Sequence, residues 1–230
     1  NTEAQFYSPN SFSFCDNFVS LVAQNVPANG QTYTSGVMTT QHKFSQLYGY
    51  FELKARMPIG KGLWPAFWML PQNSPPAGLT TEMDILEILS GNPTKIYLTY
   101  HNNATSNPQG TYTGAEMADG KFHTYGFQWT PSIMIWYIDG VARFNTTIGV
   151  PSYPSYILLD LAIGGSWGGL PNATTPWPSS MDVSYVRAFQ YVASGGYTIP
   201  GPGVGLSYSN AAAVAASNAA SSSATPYSYY

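Results

Sequence analysis

The sequence predicts an all-β fold, a sandwich of two antiparallel sheets, and three observations lead to this prediction. Apolar residues recur at every second position in several short segments, and no long segment shows the 3.6-residue period of an amphipathic helix. Turn-forming residues interrupt these segments at short intervals. A chain of 230 residues with 44% hydrophobic residues is also long enough for one domain with a buried core.

The alternation of polar and apolar residues is clearest in four segments. In chain order they are residues 51–57, Lys95–His101, His123–Trp129 and Val183–Phe189. Each segment is expected to form a strand with one buried face, because successive side chains of a strand point to opposite faces. Asp139-Gly140 separates two further apolar runs and predicts a hairpin, because glycine accepts the positive φ of a tight turn.

Charged residues make up only 8% of the chain, against about 25% in typical soluble domains. The eight basic residues are too few for the phosphate contacts of a usual nucleic-acid binder, so nucleic acid is excluded as a partner. No apolar run approaches the roughly 18 residues of a membrane span. The single cysteine, Cys15, excludes an internal disulfide and a multi-cysteine metal site.

The composition changes near the C-terminus. No charged residue follows Arg187, and from Ser194 onward the chain consists largely of Gly, Ser, Ala and Pro. We therefore predict a folded domain over residues 1–193 and a low-complexity tail or linker over residues 194–230. A short alanine-rich helix within residues 210–220 is the alternative for part of this tail.

Three of the 11 acidic residues fall within six consecutive positions: Glu82, Asp84 and Glu87. The surrounding segment, TEMDILEIL, is apolar enough to be a central strand. A regular strand would place Glu82 and Asp84 on one face and Glu87 on the other, whereas a one-residue bulge near Ile85 or Leu86 would bring all three to one face. The alternative is a solvated acidic edge that deters strand pairing. Acids threaded through Met, Ile and Leu favour a catalytic role.

Two carboxylates about 5–5.5 Å apart are the catalytic groups of a retaining glycosidase. The 18 tyrosines and six tryptophans suit the same substrates, because flat aromatic rings pack against the C–H faces of sugars. The residues thus point to the cleavage of a neutral polysaccharide.

The EMDILE run resembles the bulged E-x-D-x-x-E signature of glycoside hydrolase family 16, as found in laminarinase-like β-1,3-glucanases. Further blocks resemble the family in the same order over about residues 1–192: YGYFELKARMPIGKGLWPAFWML, FHTYGFQWTPSIMIWYIDG, LLDLAIGGSWGGLPNATTPWP and MDVSYVRAFQ. The resemblance implies a concanavalin-like β-jelly-roll with a substrate cleft across its concave sheet. It also implies that a first strand of the family fold precedes this sequence.

The resemblance assigns roles to individual residues. Glu82 takes the position of the nucleophile, Glu87 that of the acid/base, and Asp84 that of the helper between them. The implied sugar-binding residues are Trp64, Trp68, Trp167, His101, Tyr50 and Asn10. Trp68 could equally be a core residue and His101 an ordinary strand histidine. Tyr50 replaces a basic residue of the family, so one sugar contact is either lost or replaced by stacking.

The implied function is endo-acting, retaining hydrolysis of β-1,3- or mixed β-1,3-1,4-glucan by an extracellular monomer. The alternatives are a non-catalytic carbohydrate-binding sandwich and a transglycosylase that shares the glycosyl-enzyme step. A carbohydrate-binding module has no use for both Glu82 and Glu87, and this chain has both.

No cofactor is expected for this reaction. Many members of the family bind a structural calcium ion, but Ser184 and Asn17 stand at two of its usual ligand positions. Ca²⁺ requires several oxygen ligands, and neighbouring Asp182 is the remaining carboxylate there. We therefore predict no metal site. Asp160 also departs from the family, in which asparagine is common at this position.

Overall fold

The computed structural model describes residues 1–73, 81–102 and 107–191; the predicted tail at 194–230 lies outside these residues. The strands of the six-stranded sheet, in chain order, are β5 (Val37–Thr39), β7 (Leu63–Pro71), β8 (Thr81–Ile88), β9 (Lys95–Asn102), β10 (Gln109–Thr113) and β14 (Ser155–Ile163). Those of the seven-stranded sheet are β2 (Phe12–Cys15), β3 (Phe18–Ala23), β6 (Gly49–Arg56), β11 (His123–Trp129), β12 (Met134–Ile138), β13 (Val141–Thr146) and β15 (Ser179–Phe189). A separate pair consists of β1 (Gln5–Tyr7) and β4 (Tyr33–Ser35).

Both large sheets are antiparallel throughout, which confirms the predicted sandwich. Their spatial orders are β10-β9-β8-β7-β14-β5 and β13-β12-β11-β6-β15-β3-β2. The described helices are a 3₁₀ turn at Ala115–Ala118 and a single turn, α1, at Gly165–Gly168. Neither has the length or apolar character to cross a bilayer.

The four alternating segments form strands as predicted: three lie within β9, β11 and β15, and residues 51–57 lie in β6 except for Met57, which follows its last residue. In β6, Phe51 and Leu53 are fully buried while Glu52 lies on the opposite face. The hairpin prediction is also confirmed: Asp139 and Gly140 join β12 to β13 with φ values of 49° and 73°. Two consecutive positive φ values match the right-handed twist of the flanking strands.

The main core lies between the two large sheets and is rich in aromatic residues. Its largest fully buried side chains include Trp129, Trp136, Tyr125, Phe51 and Phe67. Each such ring removes roughly 150–250 Å² from water, worth about 4–6 kcal/mol before conformational entropy is subtracted. This core fixes the distance between the sheets and therefore the platform on which β8 lies.

The predicted bulge in β8 is present. Phe67 of β7 pairs with Leu86 and Trp68 pairs with Asp84, so Ile85 has no opposite residue. The pairing with β9 shifts at the same place. Trp136 reaches across the core from the other sheet and donates its indole N–H to the main-chain carbonyl of Asp84 at 2.8 Å. This buried hydrogen bond stabilises the strand next to the bulge.

Asp182 is engaged by protein groups on both carboxylate oxygens. It accepts a hydrogen bond from the Ser20 hydroxyl at 2.7 Å and two from the Arg56 guanidinium at 2.7 and 2.9 Å. The guanidinium also lies over the rings of Phe18 and Phe122. Arg56 therefore supplies the positive charge beside this carboxylate.

Candidate active site

Glu82, Asp84 and Glu87 lie on one face of the six-stranded sheet, which we call the carboxylate face. The bulge makes this possible: Met83 and Leu86 remain on the opposite, core-facing side and are fully buried. Asp84 is almost fully buried, whereas the side chain of Glu82 is 37% exposed. Asp84, the middle acid of the three, is thus shielded from solvent, whereas Glu82 is accessible to it.

Strand β9 adds two residues to the carboxylate face. His101 pairs with Glu82 and Tyr97 pairs with Glu87. His101 Nε2 lies 3.1 Å from Asp84 Oδ2 and 3.8 Å from Glu82 Oε1. The structure therefore places His101 beside two of the carboxylates. Sequence reasoning missed Tyr97.

An aromatic wall, formed by Trp64, Trp167 and Tyr97, lies beside Glu87. The indole N–H of Trp64 donates to Glu87 Oε1 at 3.2 Å. The ring of Trp167 meets those of Trp64 and Tyr97 edge-on, with centroids 5.0 and 4.8 Å away. Trp64 is nearly buried while Trp167 is 39% exposed. Trp64 therefore orients the acid, and Trp167 presents a ring to solvent.

Asp160 of β14 forms a buried hydrogen-bonded cluster on the same face. Its Oδ1 accepts the indole N–H of Trp68 at 2.6 Å, and its Oδ2 accepts the hydroxyl of Tyr7 at 2.8 Å. Trp68 pairs with Asp84, so this cluster adjoins strand β8. Trp68 is partly exposed. Because it lies opposite Asp84, it belongs to the carboxylate face.

The carboxyl groups have unequal proton affinities. Burial, with the charges of Asp84 and Glu82 added, raises the pKa of Glu87 to about 9. Burial and the charge of Asp84 raise the pKa of Glu82 to about 7, while His101 opposes that increase. Glu87 therefore keeps its proton to higher pH than Glu82, in the order expected for an acid and a nucleophile.

The two groups between them are also shifted. Burial raises the pKa of Asp84, against the opposing effect of its contact with His101. The pKa of His101 rises because Asp84 and Glu82 stabilise the protonated ring. The histidine thus partly compensates the negative charge of the cluster.

Two sequence-predicted binding residues lie outside the six-stranded sheet that carries the carboxylates. Tyr50 lies on β6 in the other sheet, on its outer face, where it is buried between Tyr137 and Phe189 and donates to Glu52. The Tyr-Gly pair that precedes Tyr50 does not indicate which of the two sheets its strand belongs to. Asn10 is exposed in the turn after β1, where its N–H donates to the Ser8 hydroxyl.

Sequence reasoning missed three contributors to this site: Tyr97, Asp160 and Tyr7. Tyr97 follows from alternation, because positions 97 and 101 share one face of a strand. Asp160 carries a sequence signal as well, because it is the only acid in the otherwise apolar run of residues 156–163. Tyr7 gives no local signal, since it meets Asp160 across 153 residues.

One group of side chains has the composition of a cation site. Glu82, Asp84 and His101 each offer one ligand atom, and these three atoms lie within 4.8 Å of one another. Asp182, the carboxylate that the sequence analysis considered for calcium, lies on the other sheet and accepts hydrogen bonds from Arg56.

An antiparallel sandwich that carries two unequally acidic carboxyls on one strand, beside exposed aromatic rings, has the architecture of a glycoside hydrolase. The sequence comparison gives the particular family: residues 5–187 match glycosyl hydrolases family 16. The chain belongs to this family, as its motifs indicated.

Relatives and solved structures agree with this assignment. The endo-1,3-1,4-β-glycanase EglC of Rhizobium meliloti is 36% identical over 209 residues, which cover 82% of this chain and 43% of EglC. A β-glucanase of Rhodothermus marinus is 32% identical, covering 75% of this chain and 68% of the relative. The endo-β-1,3-glucanase of Pyrococcus furiosus superposes with a TM-score of 0.78 at 33% identity, covering 84% and 82% of the two chains. The chain spans less than half the length of EglC.

Proposed function

We propose that this chain is a retaining endo-β-glucanase that hydrolyses β-1,3- or mixed β-1,3-1,4-glucan. The observation that carries the proposal is the bulged strand β8, which puts Glu82, Asp84 and Glu87 on one face with Glu87 the weaker acid. The names of the relatives give the substrate class. A purely carbohydrate-binding role is disfavoured because it needs neither the pair of carboxyls nor their difference in pKa.

In the first step, a carboxylate oxygen of Glu82 attacks the anomeric carbon while Glu87 donates its proton to the departing glycosidic oxygen. Trp64 holds Glu87 Oε1, which leaves Oε2 to carry the proton. The bond to the leaving sugar breaks as the bond to Glu82 forms. The result is a glycosyl ester and a free sugar end.

In the second step, the same residues act in reverse order. The ester has removed the charge of Glu82, so Glu87, now ionised, loses a source of repulsion and its pKa falls. It then accepts a proton from water as the water oxygen attacks the anomeric carbon. Asp84 and His101 position Glu82 throughout, and two displacements give net retention.

Substrate binding is assigned to the carboxylate face. Trp167 is exposed beside Glu87 and offers a flat ring for a sugar on the leaving side. Tyr97 and Lys95 continue this face along β9, with the Lys95 ammonium 4.7 Å from the Tyr97 ring centroid. These contacts favour a neutral chain lying along the sheet over a small substrate.

The decisive experiment is a reducing-sugar assay on laminarin, lichenan, xyloglucan, agarose and carrageenan, with NMR observation of the first-formed anomer. We expect activity on laminarin or lichenan and a retained first product. Glu82→Gln and Glu87→Gln should abolish hydrolysis while leaving substrate binding. Glu116→Gln, which changes an exposed acid in the 3₁₀ turn, is the matched control. An inverted first product would overturn the two roles.

We also propose that the protein acts outside the cell as a monomer. A substrate polysaccharide too large to cross a membrane requires an external enzyme. The low charge content and the Asn-Thr-Thr triplet at exposed Asn145 are compatible with export. Cell fractionation tests the location, and size-exclusion chromatography with light scattering tests the monomer.

A further inference from the structure

We propose that Glu82, Asp84 and His101 form a binding site for a divalent transition-metal ion of the Zn²⁺ class, and that the bound ion inhibits the enzyme. This inference adds regulation to the carboxylates of the proposed glucanase and so rests on the same site. It depends on the arrangement of three ligand atoms and on one buried oxygen.

The ligand atoms lie at separations that suit a single ion. Two ligands of a tetrahedral Zn²⁺, each at roughly 2.0–2.2 Å, are about 3.3–3.6 Å apart. His101 Nε2 lies 3.1 Å from Asp84 Oδ2 and 3.8 Å from Glu82 Oε1. All three atoms lie within 4.8 Å of one another, and the partly exposed Glu82 side chain is free to close the widest gap.

Asp84 Oδ2 supplies the second, independent observation. The oxygen is buried and accepts no hydrogen bond, although His101 Nε2 is only 3.1 Å away. The ring nitrogen and the oxygen are therefore close without being aligned as donor and acceptor. Both atoms also lie within 4.8 Å of a Glu82 oxygen, which is close enough for one ion to contact all three residues. A buried carboxylate oxygen that accepts no hydrogen bond is costly even beside the His101 ring, and a metal ion there would satisfy it.

The charge around this position also favours a cation. Within the described residues, the ion-pair partner of both Glu82 and Asp84 is His101, with no Lys or Arg among the ion pairs of either acid. Asp160 adds a further carboxylate nearby, since its charge raises the pKa of both Glu82 and Glu87. One imidazole with two carboxylates selects Zn²⁺ or Cu²⁺ over Ca²⁺, which prefers oxygen ligands alone and in larger number.

The consequence for catalysis is inhibition. An ion held by Glu82 occupies the oxygen that must attack the anomeric carbon. The fourth position of the ion would face the open side of the carboxylate face, where the sugar must bind. Zn²⁺ and glucan are therefore expected to exclude one another.

The test uses the Glu87→Gln variant as the parent protein, because it retains all three ligands and leaves oligosaccharides uncut. Zn²⁺ is titrated into the metal-free protein by calorimetry at pH 7.5, alone and with a saturating laminari-oligosaccharide. Adding His101→Gln or Asp84→Asn should weaken Zn²⁺ binding about 10-fold or more. Adding His42→Gln, at an exposed histidine outside the cluster, should leave it unchanged. The oligosaccharide should weaken the apparent affinity for Zn²⁺.

Equal Zn²⁺ affinity in the parent and in both ligand variants would overturn the site, and so would simultaneous binding of Zn²⁺ and oligosaccharide without competition. Thermal melts of each variant establish that the compared proteins are folded. If the protein binds no oligosaccharide but still binds Zn²⁺ through His101, the metal site stands and the glucanase proposal fails. The two proposals are thereby tested separately.

Discussion

Asp160→Asn offers a direct test of how the buried acids affect stability. Asp160 is buried, and burial raises its pKa to about 7 despite hydrogen bonds from Trp68 and Tyr7. An unfolded aspartate has a pKa of about 3.9, so folding shifts it by about three units. At 1.36 kcal/mol per unit, the shift corresponds to about 4 kcal/mol of pH-dependent stability.

The sign follows from which state holds the proton. Below about pH 4 the carboxyl is protonated in both states, and its contribution to stability is fully present. Between about pH 4 and 7 the unfolded chain releases this proton while the folded protein keeps it, so stability falls as the pH rises. Above pH 7 the contribution is lost. Asparagine keeps the shape and does not titrate.

The assay is urea unfolding, followed by tryptophan fluorescence, at several pH values from 4 to 8. The free energy of unfolding of Asp160→Asn relative to wild type should rise by about 4 kcal/mol across this range. Asp16→Asn, which removes an exposed acid in the turn between β2 and β3, should show no such trend. A difference between Asp160→Asn and wild type that stays constant with pH would refute the reasoning.

Four further predictions concern catalysis. kcat/KM should fall below about pH 7 as Glu82 gains a proton and above about pH 9 as Glu87 loses one, giving a bell-shaped profile in rate assays. Glu87→Ala should lower kcat on glucan by about 10²–10⁴, and azide should restore turnover of an activated aryl glycoside. Trp136→Phe should cost about 1–3 kcal/mol in urea unfolding and also lower kcat, because the carbonyl beside the bulge loses its donor. Trp129→Phe, which loses a similar bond to Pro151, should cost stability but leave kcat unchanged. Trp167→Ala should raise KM for long glucans without changing the melting temperature, since its ring is partly exposed.

The bulge in β8 could be predicted from the sequence, because two acids that act on one substrate must lie on the same face of the sheet. A regular strand cannot present Glu82 and Glu87 on the same face, so a shared function demanded a bulge, and the bulge is present. Strands β6, β9, β11 and β15 were predictable for a simpler reason, because apolar residues recur at every second position along them.

The surroundings of the acids were harder to predict. The Tyr7–Asp160 bond joins residues 153 positions apart, and no local pattern encodes such a contact. Tyr50 illustrates the opposite error: it lies in a well-predicted strand, but alternation does not indicate which sheet that strand joins. Long-range packing, set by the whole core, decides both cases.

The bulge at Ile85 also makes the catalytic strand tolerant of a change in length. Deleting one residue from a strand normally turns every later side chain to the opposite face. In β8, Ile85 and Leu86 both point to the core, so deleting Ile85 would restore strict alternation from Glu82 through Glu87. All three acids would stay on the carboxylate face, two positions apart. Loss of this one codon would thus leave the three acids in the same order on the same face of the sheet.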